Sequence, residues 1–375
     1  MHLEKFTAFS PEDLCDQIRE HAGNFTPSLL FIFSSPALDI NECLCSLKDS
    51  GYRVFGSSTA GEILTGQSKP PVIEQSAVCC MLDPDPAIFS VRVFQRGDLS
   101  SFELGKDAGS WCAGCFARPA ALMIVAGLAN DSEAIIRGME VNLPKGSVIA
   151  GGVAADDNAF ETTAAFSQSE LTKDGIVILA MDTDRVSLSN FTTSGWTGVG
   201  VEMLVDSSDG NIVCKIDGRK PIDVVSEYLN IKKDDVISTA LSFPMLVRRA
   251  DGSTVLRTAL SADQETGALI YAGGVPEGSK IRFSSSFGFE TIEQTIRELT
   301  AYHAENPDAD LIILFDCCAR HQAAGEQIDE EINAISYLWG VPVIGFFTYG
   351  EIGQNASGCY DVFNETLSLA ILKFK

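Results

Sequence analysis

The chain is short of histidine, short of basic charge and without any long apolar run, and each shortage closes off a class of function. Four histidines in 375 residues supply a Ser-His-Asp hydrolase thinly, and no H-E-x-x-H or H-x-x-E-H pair is present to hold a hydrolytic zinc. Lys and Arg number 27 against 51 Asp and Glu, a net charge of −24. That excess repels phosphate backbones and anionic lipid, so it argues against nucleic acid and membrane surfaces as partners. No apolar stretch reaches the roughly 18 residues that span a bilayer. The first residues, Met1 to Leu14, lack the basic and apolar regions of a signal peptide. The expectation is a cytoplasmic protein with no membrane insertion. Eleven cysteines, an odd number without an export signal, read as reduced thiols. No Gly-Lys-Ser/Thr phosphate loop and no G-x-G-x-x-G dinucleotide fingerprint is present.

What remains is ordinary globular composition, 45% hydrophobic and 21% charged, in a chain long enough for two or three domains. Within it one unit occurs three times. The first copy starts with the apolar run Leu29 to Phe33, passes through a helical stretch from Asp39 to Lys48, and returns in Tyr52 to Phe55. The second starts at Ala121 to Val125, continues in a helix from Glu133 to Glu140, and returns in Ser147 to Ala150. The third starts at Leu311 to Phe315, passes as a loop through Asp316 to Ala324, forms a helix from Glu326 to Leu338, and returns in Val341 to Ile344. Short apolar runs flanking one helix predict parallel strands in a β-α-β crossover, with Asp39 and either Asp131 or Ser132 as helix caps.

A strand is expected after each copy, at Ser76 to Leu82, Gly175 to Asp182 and Thr366 to Phe374. The first two are expected to pair as hairpins with Ala87 to Phe94 and Arg185 to Phe191. Residues 205 to 300 differ, with strands at Ile212 to Ile216, Met245 to Arg249, Val255 to Ala259 and Lys280 to Ser284. The fold class is α/β with mixed sheets: a two-domain layered α/β sandwich of repeated β-α-β units with added antiparallel hairpins. An N-terminal domain, 1–200, would hold two copies. A C-terminal domain, 201–375, would hold the third copy and the mixed strands, with Ser194 to Gly200 as the joint.

Each copy ends in a Gly-rich turn bearing a carboxylate. Gly56-Ser57-Ser58-Thr59-Ala60-Gly61-Glu62 and Gly345-Phe346-Phe347-Thr348-Tyr349-Gly350-Glu351 share G-x-x-T-x-G-E, followed by Ile63 and Ile352. The second copy has Gly151-Gly152 and then Asp156-Asp157, read as the counterpart of the Glu. Gly lets a ligand or another backbone approach, Thr offers a directional hydroxyl, and Glu an acceptor or base. Such turns lie at the C-terminal ends of parallel strands, where open α/β sheets bind ligands. The same residues also suit a purely structural turn whose Thr and Glu satisfy backbone donors.

Chemistry is densest in Phe315-Asp316-Cys317-Cys318-Ala319-Arg320-His321. Arg320 is suited to clamp a carboxylate; His321 or a Cys is suited to ligate haem iron. The alternative is that Arg320 offsets Asp316 or Glu351. Cys112 and Cys115 form a CxxC late in a helix, not at the helix N-terminus that a redox pair needs.

These motifs, GSSTAGEI, GGVAADD and FDCCAR followed by FFTYGEIG, resemble the FIST family, F-box and intracellular signal transduction proteins, over nearly the whole chain. The resemblance implies a sensory ligand-binding module rather than an enzyme. The implied ligand is amino-acid-like; stand-alone members are similar to haem proteins that sense nitric oxide and regulate a histidine kinase. The implied ligand-binding residues are Gly56, Ser58, Thr59, Gly61, Glu62, Gly151, Gly152, Asp156, Arg320, Thr348, Gly350 and Glu351, with His321 and Cys317 as candidate haem ligands. The length leaves no space for a kinase or F-box segment, so the signal would pass by contact with another protein. An enzyme using Glu62 or Glu351 as base and a ligand-free scaffold are the competing readings.

Overall fold

Leu29, Phe31 and Phe33 alternate with Leu30 and Ile32, and every one of these side chains is buried. A strand apolar on both faces needs cover on both faces. The structure, a computed structural model, describes residues 1–66, 70–240, 242–285, 288–355 and 358–375, and it supplies that cover three times over.

Repeat one comprises β1 (Leu3–Ala8), α1 (Pro11–Ala22), β2 (Leu29–Ser34), α2 (Asn41–Leu47), β3 (Arg53–Ser58), the antiparallel pair β4 (Glu62–Leu64) and β5 (Val72–Ile73), and β6 (Ala77–Leu82). Repeat two has the same order: β7 (Phe89–Gln95), α3 (Ser101–Cys115), β8 (Pro119–Ala126), α4 (Ser132–Asn142), β9 (Ile149–Val153), β10 (Ala165–Phe166) with β11 (Leu171–Thr172), and β12 (Gly175–Asp182). Repeat three opens with β13 (Val186–Thr193) and is then interrupted. The insert holds β14 (Gly198–Asp209), β15 (Ile212–Ile216), α5 (Pro221–Leu229), α6 (Val236–Ala240), β16 (Met245–Arg248), β17 (Thr254–Arg257), β18 (Ala259–Ala262), β19 (Leu269–Tyr271) and β20 (Lys280–Ser284). The repeat resumes with α7 (Phe289–Glu305), β21 (Leu311–Cys317), α8 (Cys318–Ala324), α9 (Ile328–Trp339), β22 (Val343–Thr348), the pair β23 (Glu351–Gln354) and β24 (Tyr360–Phe363), and β25 (Leu367–Phe374).

No repeat completes its own sheet. The orders are β1-β6-β2-β3-β10-β11, then β7-β12-β8-β9-β23-β24, then β13-β25-β21-β22-β4-β5. In each, two parallel strands of one repeat receive a strand pair from another: repeat one gives to three, three to two, and two to one. The result is a cyclic exchange with pseudo-threefold symmetry. Inner faces meet in one core that includes Phe31, Phe33, Leu122, Ile124, Ile313, Phe315 and Phe346. Phe346 packs against Phe33 at 4.7 Å and Phe315 at 5.6 Å between ring centroids. Burying each such ring contributes about 1.5–3 kcal/mol. The outer faces of the three sheets pack separate clusters, two of them against helices α1 and α2 and against α3 and α4.

The insert forms a seven-stranded sheet of its own, β17-β16-β20-β14-β15-β19-β18. It leaves the core next to where it re-enters: Ser285 N donates to Thr197 O at 3.1 Å, and Trp196 Nε1 to Ser285 O at 3.0 Å. The expected joint at Ser194 to Gly200 lies at this exit. The architecture is the expected two-part α/β fold with mixed sheets, an α/β core and a β-rich insert, and the chain crosses residue 200 in mid-repeat.

Three local expectations change. Ala87 to Phe94 and Arg185 to Phe191 are not hairpin partners of the strands before them. β7 pairs with β12 and β13 with β25, because each starts the next repeat as its edge strand. Asp39 is not the cap of α2; Ile40 holds that position, and Asp39 accepts from Asn41 N at 3.1 Å. Asp131 does cap α4, accepting from Ala134 N at 2.9 Å. Finally, Cys318 to Ala324 is helix α8, not loop.

The strand exchange sets a steric limit at Gly56, where β10 crosses β3. A Cβ there would lie 2.0 Å from the Phe166 ring and 2.6 Å from Ile32 O. Gly56→Ala is expected to destabilise the protein by about 1–3 kcal/mol in urea titration. Gly114→Ala, in open space on α3, should leave stability unchanged or raise it by up to about 1 kcal/mol. Equal stabilities for the two variants would refute the crossing as a constraint.

Candidate ligand-binding cleft

The two T-x-G-E turns fold into the same closed unit. Thr59 Oγ1 donates to Glu62 Oε1, and Ser76 donates to Glu62 Oε2 from Oγ (2.7 Å) and N (3.1 Å). Thr348 Oγ1 donates to Glu351 Oε1 (2.6 Å), and Thr366 donates to Glu351 Oε2 from Oγ1 (2.7 Å) and N (3.3 Å). Gly61 takes φ +114°, a conformation a side chain would strain. Both carboxyls are fully buried. Burial pushes Glu62 up to about 7 and Glu351 well above the usual carboxylate range, against the pull of their hydroxyl donors.

The three turns meet. Ala60 N donates to Phe347 O (3.0 Å) and Phe347 N to Gly61 O (2.9 Å), joining the first to the third. Ala155 N donates to Ser58 O (3.1 Å) and Ser58 Oγ to Ala155 O (2.7 Å), joining the second to the first. Val153 N donates to Gly350 O (2.8 Å), joining the third to the second. In the second copy, strand register sets Gly151 against Ile352 and Gly152 against Glu351, as it sets Gly345 against Ile63. By the same register Ala165, opposite Ser57, takes the place of Glu62 and Glu351. Asp156 is therefore not their counterpart. It holds the longer loop of the second copy, accepting from Phe160 N (2.9 Å), Glu161 N and Thr162 N (both 2.7 Å) and from the Tyr349 hydroxyl. Burial pushes Asp156 up, but these donors outweigh it and the net shift is downward. Phe160 stacks on Tyr349 at 4.4 Å.

Arg320 projects from α8 into the core, fully buried. It pairs with Glu331 and Asp316 and donates to Thr295 Oγ1 (3.0 Å) and Ser194 O. His321, on the same helix, stacks on Phe347 at 4.0 Å, and burial lowers its pKa. The hydrogen bond with Cys318, together with burial, pushes the Cys317 thiol well up. Asp316 and Glu365 are also buried, and burial pushes Asp316 well up and Glu365 to about 8.

A cleft of about 940 Å³ opens beside the meeting turns, between the core and the insert. Its core wall is Gly127 to Glu133 after β8, together with Cys317, Cys318, Ala319 and Gln322 where β21 turns into α8. Val153, Asn158, Phe160 and Tyr349 belong to the same wall, and Asn211, Ile237, Ser238, Leu260 and Tyr271 come from the insert. This is the C-terminal end of parallel strands β8 and β21, where α/β sheets hold ligands. A smaller cavity, about 670 Å³, lies at the opposite strand ends around Met1, Asp83, Asp310 and Lys375. Of the residues expected to bind ligand, the structure brings Cys317 onto the large cleft and Asp156 behind its rim. Glu62, Glu351, Arg320 and His321 do not line it. Tyr349, the variable residue of the second T-x-G-E turn, does line it, as do Asn130 and Asn364, which nothing in their sequence context announces.

Below the cleft, charges tie the insert to the core. Arg257, fully buried, donates to Glu133 Oε1 (2.7 Å) and Val362 O (2.9 Å). Arg249 pairs with Asp361, and Thr258 Oγ1 donates to Glu365 Oε1 (2.6 Å).

These features define an α/β repeat protein with a ligand-sized cleft closed by an insert. Residues 28–219 match the FIST N domain and residues 221–354 the FIST C domain. The chain belongs to the FIST family, whose domains are sensory domains of signal transduction. It is 25% identical over 236 residues to an uncharacterized protein of Mycobacterium tuberculosis, covering 60% of this chain and 61% of that one. It is 24% identical over 241 residues to an uncharacterized protein of Mycobacterium bovis, covering 60% of each. The chain thus spans about three fifths of the length of these relatives. No helix among the described residues is long and apolar enough to cross a membrane.

Of the two candidate haem ligands, Cys317 lines the cleft and His321 does not; the His321 ring stacks on Phe347. No group of three or more His, Cys, Asp and Glu among the described residues is placed to hold a metal ion.

The buried turns have a pH signature. Glu62 keeps a proton in the folded state that the unfolded chain releases, from its ordinary 4.5 up to about 7. Stability contributed by this group is therefore full below that window, falls as pH rises through it, and is level above. Glu62→Gln removes this share, so its stability relative to wild type should improve by on the order of 3 kcal/mol between pH 5 and pH 8 in urea titrations. Parallel pH profiles for the two proteins would refute it.

Proposed function

We propose that this FIST protein is a sensor in which a small molecule enters the cleft between core and insert, and the occupied state is passed to a signalling partner such as a histidine kinase. The observation that supports it best is the cleft's double wall. A ligand touching both the β8 and β21 strand ends and the insert favours one arrangement of the two parts over others, which is what a sensor must convert into a signal. Binding is the reading here rather than catalysis, because Glu62 and Glu351 are buried and satisfied by their own turns. The amino-acid-like ligand implied by the family resemblance would meet Asn130, Asn364 and Tyr349 here, with Arg320 held behind the wall by Glu331 and Asp316.

The test is a thermal-shift screen of amino acids, amines, carboxylates and nucleosides on wild type and on Ala129→Trp, which fills the cleft from an exposed position. A ligand at a hundredfold excess over its Kd stabilises by about 2.7 kcal/mol, a rise of several degrees in melting temperature. The rise is expected in wild type and not in the variant. An equal response from both, or none from either, would overturn the reading.

A further inference from the structure

One loop on the core wall of the cleft is strained and carries an exposed aromatic ring. Between β9 and β10, Asp157, Asn158 and Phe160 take φ of +51°, +65° and +53°. Asp and Asn enter this left-handed region readily, whereas a bulky side chain there is an outlier. The Asp156 carboxylate holds Phe160 in place. Its Oδ1 accepts from Phe160 N at 2.9 Å, and its Oδ2 from Glu161 N and Thr162 N, both at 2.7 Å. Asp156 Oδ1 also accepts from the Tyr349 hydroxyl. One buried carboxylate thus sets both members of the Phe160–Tyr349 stack, whose ring planes lie 9° apart with centroids at 4.4 Å.

Core packing does not account for this ring. Phe160 is 52% exposed, and it lines the cleft together with Tyr349. A strained backbone, held by side-chain hydrogen bonds so that a ring stands exposed, is the arrangement of a ligand clamp. The two T-x-G-E turns differ in the same sense at their middle position. Repeat one has Ala60 there and repeat three has Tyr349, and the aromatic stands in the turn that reaches the cleft. Leu128 on the core wall and Leu260 on the insert wall, both about half exposed, extend the apolar surface.

We infer that the cleft recognises a small compound carrying an aromatic ring, which stacks on the face of Phe160 turned away from Tyr349. This rests on the cleft being the sensing site. Tyr349 occupies one face of Phe160, so a flat ring on the other face continues the stack. Stacked aromatic rings gain attraction beyond the area they bury, which a puckered aliphatic ring of similar size does not. Leu260 contributes apolar surface from the insert, so the ring joins the two parts of the fold. The platform selects for flatness, not for charge.

Calorimetry on the full chain compares 2-phenylethylamine with 2-cyclohexylethylamine, and phenylacetate with cyclohexylacetate. Each pair shares its head group and differs in ring flatness, and hydrophobic burial alone favours the saturated member. In at least one pair the aromatic member is expected to bind wild type about threefold tighter than its partner, or more, and not to bind Ala129→Trp. Phe160→Leu, which keeps apolar bulk, should abolish that preference. Phe160→Gly should weaken the aromatic compound tenfold or more while its urea midpoint stays near that of wild type, because the backbone relaxes as the stack is lost. A merely structural ring would instead lower the midpoint and leave the preference intact. Saturated compounds binding as tightly as aromatic ones, with Ala129→Trp abolishing both, would overturn the ring and keep the cleft. Aromatic binding that survives in Ala129→Trp would overturn both. Binding by none of the four would overturn the ring, and the thermal-shift screen then decides the cleft by itself.

Discussion

The exchange of strand pairs among the three repeats is the constraint on which everything else depends. A two-strand parallel core with one returning strand would leave an unpaired edge. Here β4, β10 and β23 cover those edges, each coming from a different repeat. The turn that launches each pair must change direction at once, against a neighbouring backbone, and this explains the glycines. In repeats one and three the corner is pinned by a Thr, a buried Glu and a hydroxyl from the returning strand. Repeat two solves the same corner with a longer loop tied by Asp156 and Tyr349. That difference breaks the symmetry, and the cleft opens beside the loop that broke it.

Polar burial in this protein divides into two kinds. The T-x-G-E carboxyls are satisfied locally and close the core. The charges under the insert act between parts of the fold. Arg257 is fully buried with Glu133 as its main counter-charge, and removing one partner of such a pair costs about 3–5 kcal/mol because the other is left bare. The insert is thus held on the core by an interaction that tolerates little editing.

Much of the local order was legible in the sequence. Unbroken apolar runs marked β2, β8 and β21, Asp131-Ser132 marked the start of α4, and the repeated G-x-x-T-x-G-E marked where the sheets end. The register between repeats was not legible, because a pairing such as Gly345 with Ile63 spans most of the chain and leaves no local trace. For the same reason β7 and β13 read as hairpin partners of the strands they follow. Helix α8 was missed because two cysteines and a histidine after a strand look like a reactive loop. Its alanines and the four-residue spacing of Asp316 and Arg320 were the available signal. The cleft residues Asn130 and Asn364 could not have been chosen, since what distinguishes them is their place on a wall assembled from distant parts of the chain.

The placement of the insert bears on how such proteins diversify. It hangs from one adjacent pair of chain crossings, with Thr197 and Ser285 hydrogen-bonded to each other, and it contributes no strand to the three exchanged sheets. The segment from β14 to β20 is accordingly a cassette. Evolution or an engineer can replace it and renew one side of the binding chamber, provided the replacement again supplies cations to Glu133 and Asp361, while the pseudo-threefold scaffold and whatever outer surface it presents to a regulator stay as they were.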